Sequence, residues 1–143
     1  MEATYNLICL DVGETRIGLA MADSVAKLPR PLKTLHNKSD IFDDIVRIVE
    51  MHNVKILVIG LPRGLDGQDT DQTKYVKNFF NKLSKRLKIP IYLEDEALST
   101  FRVKEDLKRS KKNFVKEDLD ALSACFILDD FIANNMEKVS EKK

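Results

Sequence analysis

The chain has 143 residues, 43% of them hydrophobic and 33% charged, which is typical of one soluble globular domain. The formal net charge of +1 gives no overall attraction to nucleic acid or to a membrane surface, so any basic face must be local. The longest apolar stretches, at 56–61 and 121–128, are shorter than the roughly 20 residues that a membrane-spanning helix needs. The N-terminus lacks the pattern of a secretory signal, so we expect a cytoplasmic protein without membrane association.

Three short strands are predicted at the start of the chain. Gly13 supplies the turn between the first two, and Pro29 and Pro31 bound the third. Short turns between successive strands predict an antiparallel meander. The predicted strands are Tyr5–Leu10, Arg16–Met21 and a segment near Leu32–Leu35.

After these strands, helices and strands alternate. Ser39 or Asp40 is the predicted cap of the first helix, and Pro90 ends the second. The order βββαβαβαα predicts an α/β fold with a five-stranded mixed sheet, in which three antiparallel strands precede two delivered by helical crossovers. This order is that of an RNase H-like domain, and other α/β folds share it. The predicted elements are a helix from Ile41 through Val49, a strand at Val54–Ile59, a helix from Val76 through Leu87, a strand at Ile91–Leu93, and helices near Thr100–Arg109 and Glu117–Ile132.

No linker divides the chain, so residues 1–136 are predicted to form a single domain, followed by a charged tail at 137–143. Cys9 and Cys125 lie in apolar segments, and two cysteines make no disulfide framework. We expect both to be small buried side chains in a reducing compartment.

Acidic residues fall where the predicted strands end. Asp11 closes the first strand, and Asp95 and Glu96 follow the last one. Neighbouring parallel strands end at the same edge of a sheet, so these acids are expected to lie close together. In the final helix, Asp120 heads an apolar stripe that contains Ala124, so its carboxylate is aimed toward the packing side.

Each acid also has a structural explanation. Asp11 is beside a glycine turn, Asp95 and Glu96 suit a solvated loop, and acids near 117–120 suit a helix N-terminus. Three carboxylates that converge on one edge repel one another, and a divalent cation such as Mg²⁺ or Mn²⁺ offsets that repulsion. The sequence therefore predicts a metal site formed by Asp11, Asp120 and an acid of the Asp95-Glu96 pair.

Four segments resemble the YqgF family of Holliday junction resolvase-like nucleases. They occur in the family's order and cover nearly the whole chain. The first segment by itself, as Asp-x-Gly-x(4)-Gly, also resembles the phosphate motif of actin-like kinases, but those enzymes close two such domains around ATP and this chain has one. The segments are Leu10–Asp23, Val58–Pro62 with Asp66-Gly67, Asp95–Thr100, and Asp120–Ala124.

The resemblance implies an RNase H-like fold with catalytic acids at Asp11, Glu96 and Asp120. It also implies a role in maturing the 5′ end of the 16S rRNA precursor, with Holliday junction cleavage as an older proposal for the family. Two positions depart from the family pattern. Ala97 replaces an arginine that would donate to phosphate, and Thr15 replaces a lysine, so substrate positioning is where this chain is expected to differ.

A basic window at 102–116 lies between Glu96 and Asp120. It contains seven basic residues against two acidic ones, a local charge of about +5. One interpretation is a phosphate-binding surface beside the acids, to which Arg16 also contributes. The alternative is a solvated helix face. The basic residues are Arg102, Lys104, Lys108, Arg109, Lys111, Lys112 and Lys116.

Together these features predict a nuclease of the two-metal type that uses Mg²⁺ or Mn²⁺, with Asp95 and Asp118 as accessory ligands. The expected partners are pre-rRNA or branched DNA. The rival hypothesis is a non-catalytic module of the same fold that binds RNA or a protein, suggested by Ala97. The sequence leaves open whether the protein is a monomer or a homodimer.

Overall fold

The computed structural model describes residues 4–96, 116–135, 137 and 139, and within them the chain forms five strands and three helices. The helix predicted near Thr100–Arg109 lies outside the described residues. The strands are β1 (Asn6–Val12), β2 (Arg16–Asp23), β3 (Arg30–His36), β4 (Val54–Leu61) and β5 (Ile91–Asp95). The helices are α1 (Ile41–Met51), α2 (Asp71–Ser84) and α3 (Lys116–Asn134).

The strands form one mixed sheet in the order β3-β2-β1-β4-β5. The pairs β1–β2 and β2–β3 are antiparallel, whereas β1–β4 and β4–β5 are parallel, as predicted. The β1–β2 turn is closed by a 2.9 Å hydrogen bond from the Gly13 amide to the Arg16 carbonyl. Helices α1 and α2 carry the chain back across the sheet, so that β4 and β5 run in the same direction as β1. The carboxyl ends of these three strands therefore lie at one edge of the sheet.

Alternate residues of β1 face two different cores, because successive strand side chains point to opposite sides. Ile8 and Leu10 pack with residues of α1 and α2. Leu7 and Cys9 pack on the other side with residues of α3. The protein is therefore a three-layer α/β/α domain, and α3 alone among the described helices covers the second face.

The apolar stripe predicted on the last helix is confirmed. Ala124, Ile127 and Phe131 are all buried against the sheet. Asp120 lies one turn before Ala124 on the same side of α3. It is near the N-terminus of the helix, beside the sheet edge where β1 ends. Burial of the apolar stripe fixes α3 on the sheet, and this packing places Asp120 at the sheet edge.

All five observed strands are longer than the predicted ones, and the differences at β3 and β5 affect named residues. Pro31 lies inside β3 instead of bounding it, and it pairs with Ala20 where the β2–β3 register shifts. Because β3 is an edge strand with an irregular ladder at this point, a residue without an amide proton is accommodated there. β5 continues through Asp95, so Asp95 belongs to the strand and does not follow it.

The helix ends also differ from the prediction. Asp40 occupies the cap position of α1, but its side chain makes no capping hydrogen bond. α2 starts with a reciprocal capping box between Thr70 and Thr73. It ends at Ser84, so Leu87 lies beyond the helix, packed against the core as a partly buried side chain.

Cys9 is buried as predicted, whereas Cys125 is only half-buried, and no disulfide joins these two described residues. Within the described residues, no helix has both the length and the apolar character required to cross a bilayer. The division into a domain at 1–136 and a tail at 137–143 stays a prediction.

Candidate active site

Asp11 lies one residue before the end of β1, on the side of the sheet that α3 covers. Its alternation with Leu7 and Cys9, which pack with α3, sets this orientation. The side chain is half-buried. The carboxylate is therefore placed at the carboxyl edge of the sheet, facing the beginning of α3.

Gly18 brings Asp120 close to Asp11. It pairs directly with Asp11 across the β1–β2 ladder. A β-carbon at Gly18 would collide with the carbonyl group of Asp120 and would lie 2.7 Å from the amide nitrogen of Ala121. Since paired Cα atoms in antiparallel strands are about 4.5–5.5 Å apart, the absence of a side chain at Gly18 sets the Asp120 backbone next to Asp11.

A second glycine allows the same close approach on the other side of Asp11. Leu10 pairs with Ile59 in the parallel β1–β4 ladder, so the next position beside Asp11 is Gly60. A β-carbon there would lie 2.6 Å from Cδ1 of Ile127 on α3. Asp11 is thus flanked by two glycines, and both leave room for α3.

Asp120 is paired with Arg16, the first residue of β2. The Arg16 Nε donates to Oδ2 of Asp120 at 2.7 Å, and the two side chains are 29% and 28% exposed. The sequence predicted Arg16 as a nucleic-acid contact and Asp120 as a metal ligand. The structure joins the two residues to each other.

Glu96 shares the α3 side of the sheet with Asp11. In β5, Tyr92 packs on Phe131 with ring centroids 5.4 Å apart, and Glu94 accepts a 3.2 Å hydrogen bond from Asn134. The Glu96 amide donates to the carbonyl of Leu61 at 2.9 Å and continues the β4–β5 ladder by one residue. Alternation then directs Glu96 toward α3, and its Oε1 is fully buried.

Asp95 points the other way. Its Oδ1 accepts a 3.3 Å hydrogen bond from Nε of Arg63 in the loop after β4, and its side chain is 69% exposed. Of the two consecutive acids, Glu96 therefore lies with Asp11 and Asp120, and Asp95 lies with the β4–α2 loop.

The donor set at this edge suits a hard divalent cation, because carboxylate oxygens are the ligands that Mg²⁺ and Mn²⁺ prefer. The buried Oε1 of Glu96 supplies one such oxygen. Across the described part of the chain, no three acidic, histidine or cysteine side chains are grouped closely enough to hold an ion. Asp11, Glu96 and Asp120, the predicted ligands, lie on one side of this edge but do not form such a group, and Oδ2 of Asp120 is engaged by Arg16.

Sequence reasoning did not find Arg63, although it is the only basic residue between Leu61 and Asp71. Besides Asp95, Arg63 pairs with Asp69, which also accepts a 3.0 Å hydrogen bond from Lys77. That hydrogen bond, together with the charges of Lys77 and Arg63, lowers the pKa of Asp69. The loop from 62 to 70 is therefore organised by ion pairs and is linked to the end of β5.

A cavity of about 210 Å³ lies on the opposite side of the sheet, between the start of α1 and α2. Asn37 lines it and donates hydrogen bonds of 2.8 Å to the Gly13 carbonyl and to the Tyr75 hydroxyl. It contains none of the predicted acids. The acidic edge and this cavity are therefore separate features.

Most of the predicted basic surface falls outside the described residues; Arg16, whose side chain is described, pairs with Asp120. The side chains of Lys116 and Asp118 also lie outside the description, although their backbones are in the first turn of α3. The basic residues outside the described part are Arg102, Lys104, Lys108, Arg109, Lys111 and Lys112.

Comparisons with known proteins agree with the family suggested by the motifs. The sequence model of the RuvX family, described as Holliday junction resolvase, matches residues 5–134. A Maridesulfovibrio salexigens protein named "Putative pre-16S rRNA nuclease" is 35% identical over 89% of this chain and 97% of its own length. A Haemophilus ducreyi protein of the same name is 30% identical over 90% of this chain and 96% of its own length.

Solved structures support the fold. Thermus thermophilus RuvC in complex with a Holliday junction substrate superimposes with a TM-score of 0.56, at 12% identity, over 93% of this chain and 96% of that one. A second Thermus thermophilus RuvC structure gives a TM-score of 0.52, also at 12% identity, over 90% and 95% of the two chains. The RNase H-like, five-stranded mixed sheet predicted from the element order is confirmed.

Proposed function

The chain belongs to the RuvX family of Holliday junction resolvases, the YqgF family of the motif analysis, and on that basis we propose that it is an endonuclease that processes the 5′ end of pre-16S rRNA. The observation that carries the proposal is that the strand alternation and the packing of α3 put Asp11, Glu96 and Asp120 on the same side of one sheet edge. The curated relatives' names supply the substrate.

The proposed reaction is hydrolysis of a phosphodiester bond by a two-metal mechanism. Mg²⁺ or Mn²⁺ held by Asp11, Glu96 and Asp120 would supply the positive charge that offsets charge on the reacting oxygens. The chain's own contribution is to orient these three carboxylates from two strands and a helix. We assign the ligand role at the end of β5 to Glu96, because Asp95 faces Arg63 on the other side. Asp118 stays a proposed accessory ligand.

Substrate binding is assigned to positive charge around these acids. Arg16 is on the site's rim, and the basic window from Arg102 to Lys116 joins Glu96 to Asp120 in sequence. Contacts of arginine and lysine with phosphate supply affinity without sequence specificity. We propose that the enzyme acts in the cytoplasm, in keeping with its composition.

A direct test compares cleavage of labelled precursor rRNA with cleavage of a four-way DNA junction across a Mn²⁺ titration. Wild type and Asp11→Asn are measured with a matched control, Asp44→Asn, which removes an acid of α1 that pairs with Arg47. We expect cleavage of the precursor by wild type and by the control, and none by Asp11→Asn.

Two other outcomes would replace the proposal. Cleavage of the four-way junction alone would favour a Holliday junction resolvase, which the family description and the RuvC-like fold support. Binding of RNA with no cleavage at any Mn²⁺ concentration would favour a non-catalytic binding module, consistent with Ala97 at the position where the family carries arginine.

A further inference from the structure

Arg16 and Asp120 are paired although each is suited to a different ligand. The guanidinium of Arg16 matches a phosphate group, and the carboxylate of Asp120 matches a divalent cation. We propose that they form an exchange pair: a substrate phosphate binds Arg16 and breaks its ion pair with Asp120, and the carboxylate of Asp120 then binds the cation. The inference rests on the proposed function, because it assumes that the site receives both ligands.

The geometry makes the exchange feasible. The contact is a single 2.7 Å hydrogen bond from Nε to Oδ2, and both side chains are more than a quarter exposed. A phosphate and an ion can therefore reach the pair from solvent. Partly exposed ion pairs are weak because water competes for both partners, so separating this pair requires little free energy.

The backbones that carry the pair are held in place. Arg16 pairs with His36 in the β2–β3 ladder, and its carbonyl accepts the hydrogen bond that closes the β1–β2 turn. Asp120 is pressed against Gly18. The exchange therefore requires only rotation of side chains.

Arg16 also opposes the cation when the ion uses the other oxygen of Asp120. A guanidinium within hydrogen-bond distance of the carboxylate adds a positive charge a few ångströms from the ion, and like charges at that range repel. Metal affinity is consequently low while Arg16 stays on Asp120, whichever oxygen the ion chooses.

These competitions couple the two ligands. The phosphate competes with Asp120 for Arg16, and the cation competes with Arg16 for Asp120. Binding of one ligand removes the competitor of the other, so substrate and metal strengthen each other by the same factor. A free site thus holds metal weakly, and the metal site is completed when nucleic acid arrives.

The coupling is measurable without turnover. Mn²⁺ affinity of the full chain is determined by electron paramagnetic resonance of free Mn²⁺, with and without a short phosphorothioate RNA whose integrity is checked by gel electrophoresis. The variant Arg16→Met keeps the aliphatic stem and removes the guanidinium. Arg47→Met is the matched control, since Arg47 pairs with Asp44 on α1.

For wild type and the control, we expect the RNA to raise Mn²⁺ affinity about five- to tenfold, at the low end of usual coupling between sites. Arg16→Met is expected to bind Mn²⁺ several-fold more tightly than wild type without RNA, with less than about a twofold further gain on adding it. Unchanged Mn²⁺ affinity in Arg16→Met, or a full RNA effect in that variant, would overturn the exchange.

Thermal unfolding shows whether the variant is folded. If Arg16→Met is not folded, the Mn²⁺ affinities are measured on Arg16→Gln instead. The glutamine amide can still donate a hydrogen bond to Asp120, but it carries no charge. A pair that only fastens α3 to the sheet would lower stability in both variants and leave Mn²⁺ affinity no higher than in wild type. Coupling in a protein that cuts nothing would retain the exchange and reject the nuclease, whereas cleavage without coupling would reject the exchange alone.

Discussion

Asp95 and Glu96 are consecutive residues on opposite sides of the sheet. Asp95 bonds to Arg63 in the β4–α2 loop, and Glu96 faces α3 with a fully buried oxygen. Both are acids at the end of the same strand, and a register shift of one residue would exchange them. Their orientation determines which carboxylate lies on the same side of the sheet as Asp11.

Glu96→Gln and Asp95→Asn are therefore expected to have unequal effects. Glu96→Gln should lower the cleavage rate by about 100-fold or more, because losing the proposed ligand carboxylate would remove several kcal/mol of charge stabilisation. Asp95→Asn should cost less than about tenfold, since it breaks only a mostly exposed contact with Arg63. Single-turnover rates at saturating Mn²⁺ provide the measurement, and equal losses would contradict the assignment.

Gly18→Ala should displace α3. Its β-carbon would collide with the Asp120 carbonyl, which is backbone and cannot rotate away. We expect a loss of about 1–3 kcal/mol in the free energy of unfolding, as for other overpacked sites, together with a large loss of cleavage. Urea unfolding measures the first effect.

Gly67→Ala is the matched control for Gly18. A β-carbon at Gly67 meets nothing within 4 Å, but the residue has φ +80°, so the substitution costs about 1–2 kcal/mol of backbone strain. Gly67 is in the β4–α2 loop and not under α3, so cleavage should be preserved at temperatures where the variant is folded. Full activity of Gly18→Ala would refute the close-approach argument.

The ion pairs of Asp69 should make stability depend on acid pH. The hydrogen bond from Lys77 lowers the pKa of Asp69 below its ordinary 3.8. A lowered pKa in the folded state means that the stabilisation is complete above the unfolded value and disappears as pH falls through the folded value. The difference in unfolding free energy between wild type and Asp69→Asn should therefore shrink below about pH 4. A constant difference down to strong acid would argue against the ion pair.

Cys125 should be slow to react with thiol reagents at neutral pH. Burial, with the charge of Asp129, raises the pKa of its thiol from 9.0 to about 11. Since the thiolate is the reactive form, labelling of Cys125 in a Cys9→Ala background should be slower than that of an unfolded control, even at pH 9. The same shift contributes stability below pH 9 that is lost as the pH rises toward 11. Labelling of Cys125 at the rate of the unfolded control would contradict the raised pKa of its thiol.

Much of the fold was predictable because its signals are local. The near-continuous apolar run in β4, the helical spacing in α1 and the stripe from Ala124 to Phe131 each depend on residues within a few turns or pleats. The positions of Asp11 and Asp120 near element ends followed from the same patterns, and the family motifs added the expected chemistry.

Tertiary structure decided how the predicted residues meet. Arg16 and Asp120 are 104 positions apart, and only the packing of α3 on Gly18 brings them into contact. Local patterns ended the last strand at Leu93 and left Asp95 and Glu96 equivalent. The choice between them depends on strand register, which is set by pairing between β4 and β5 and leaves no signal in either segment alone.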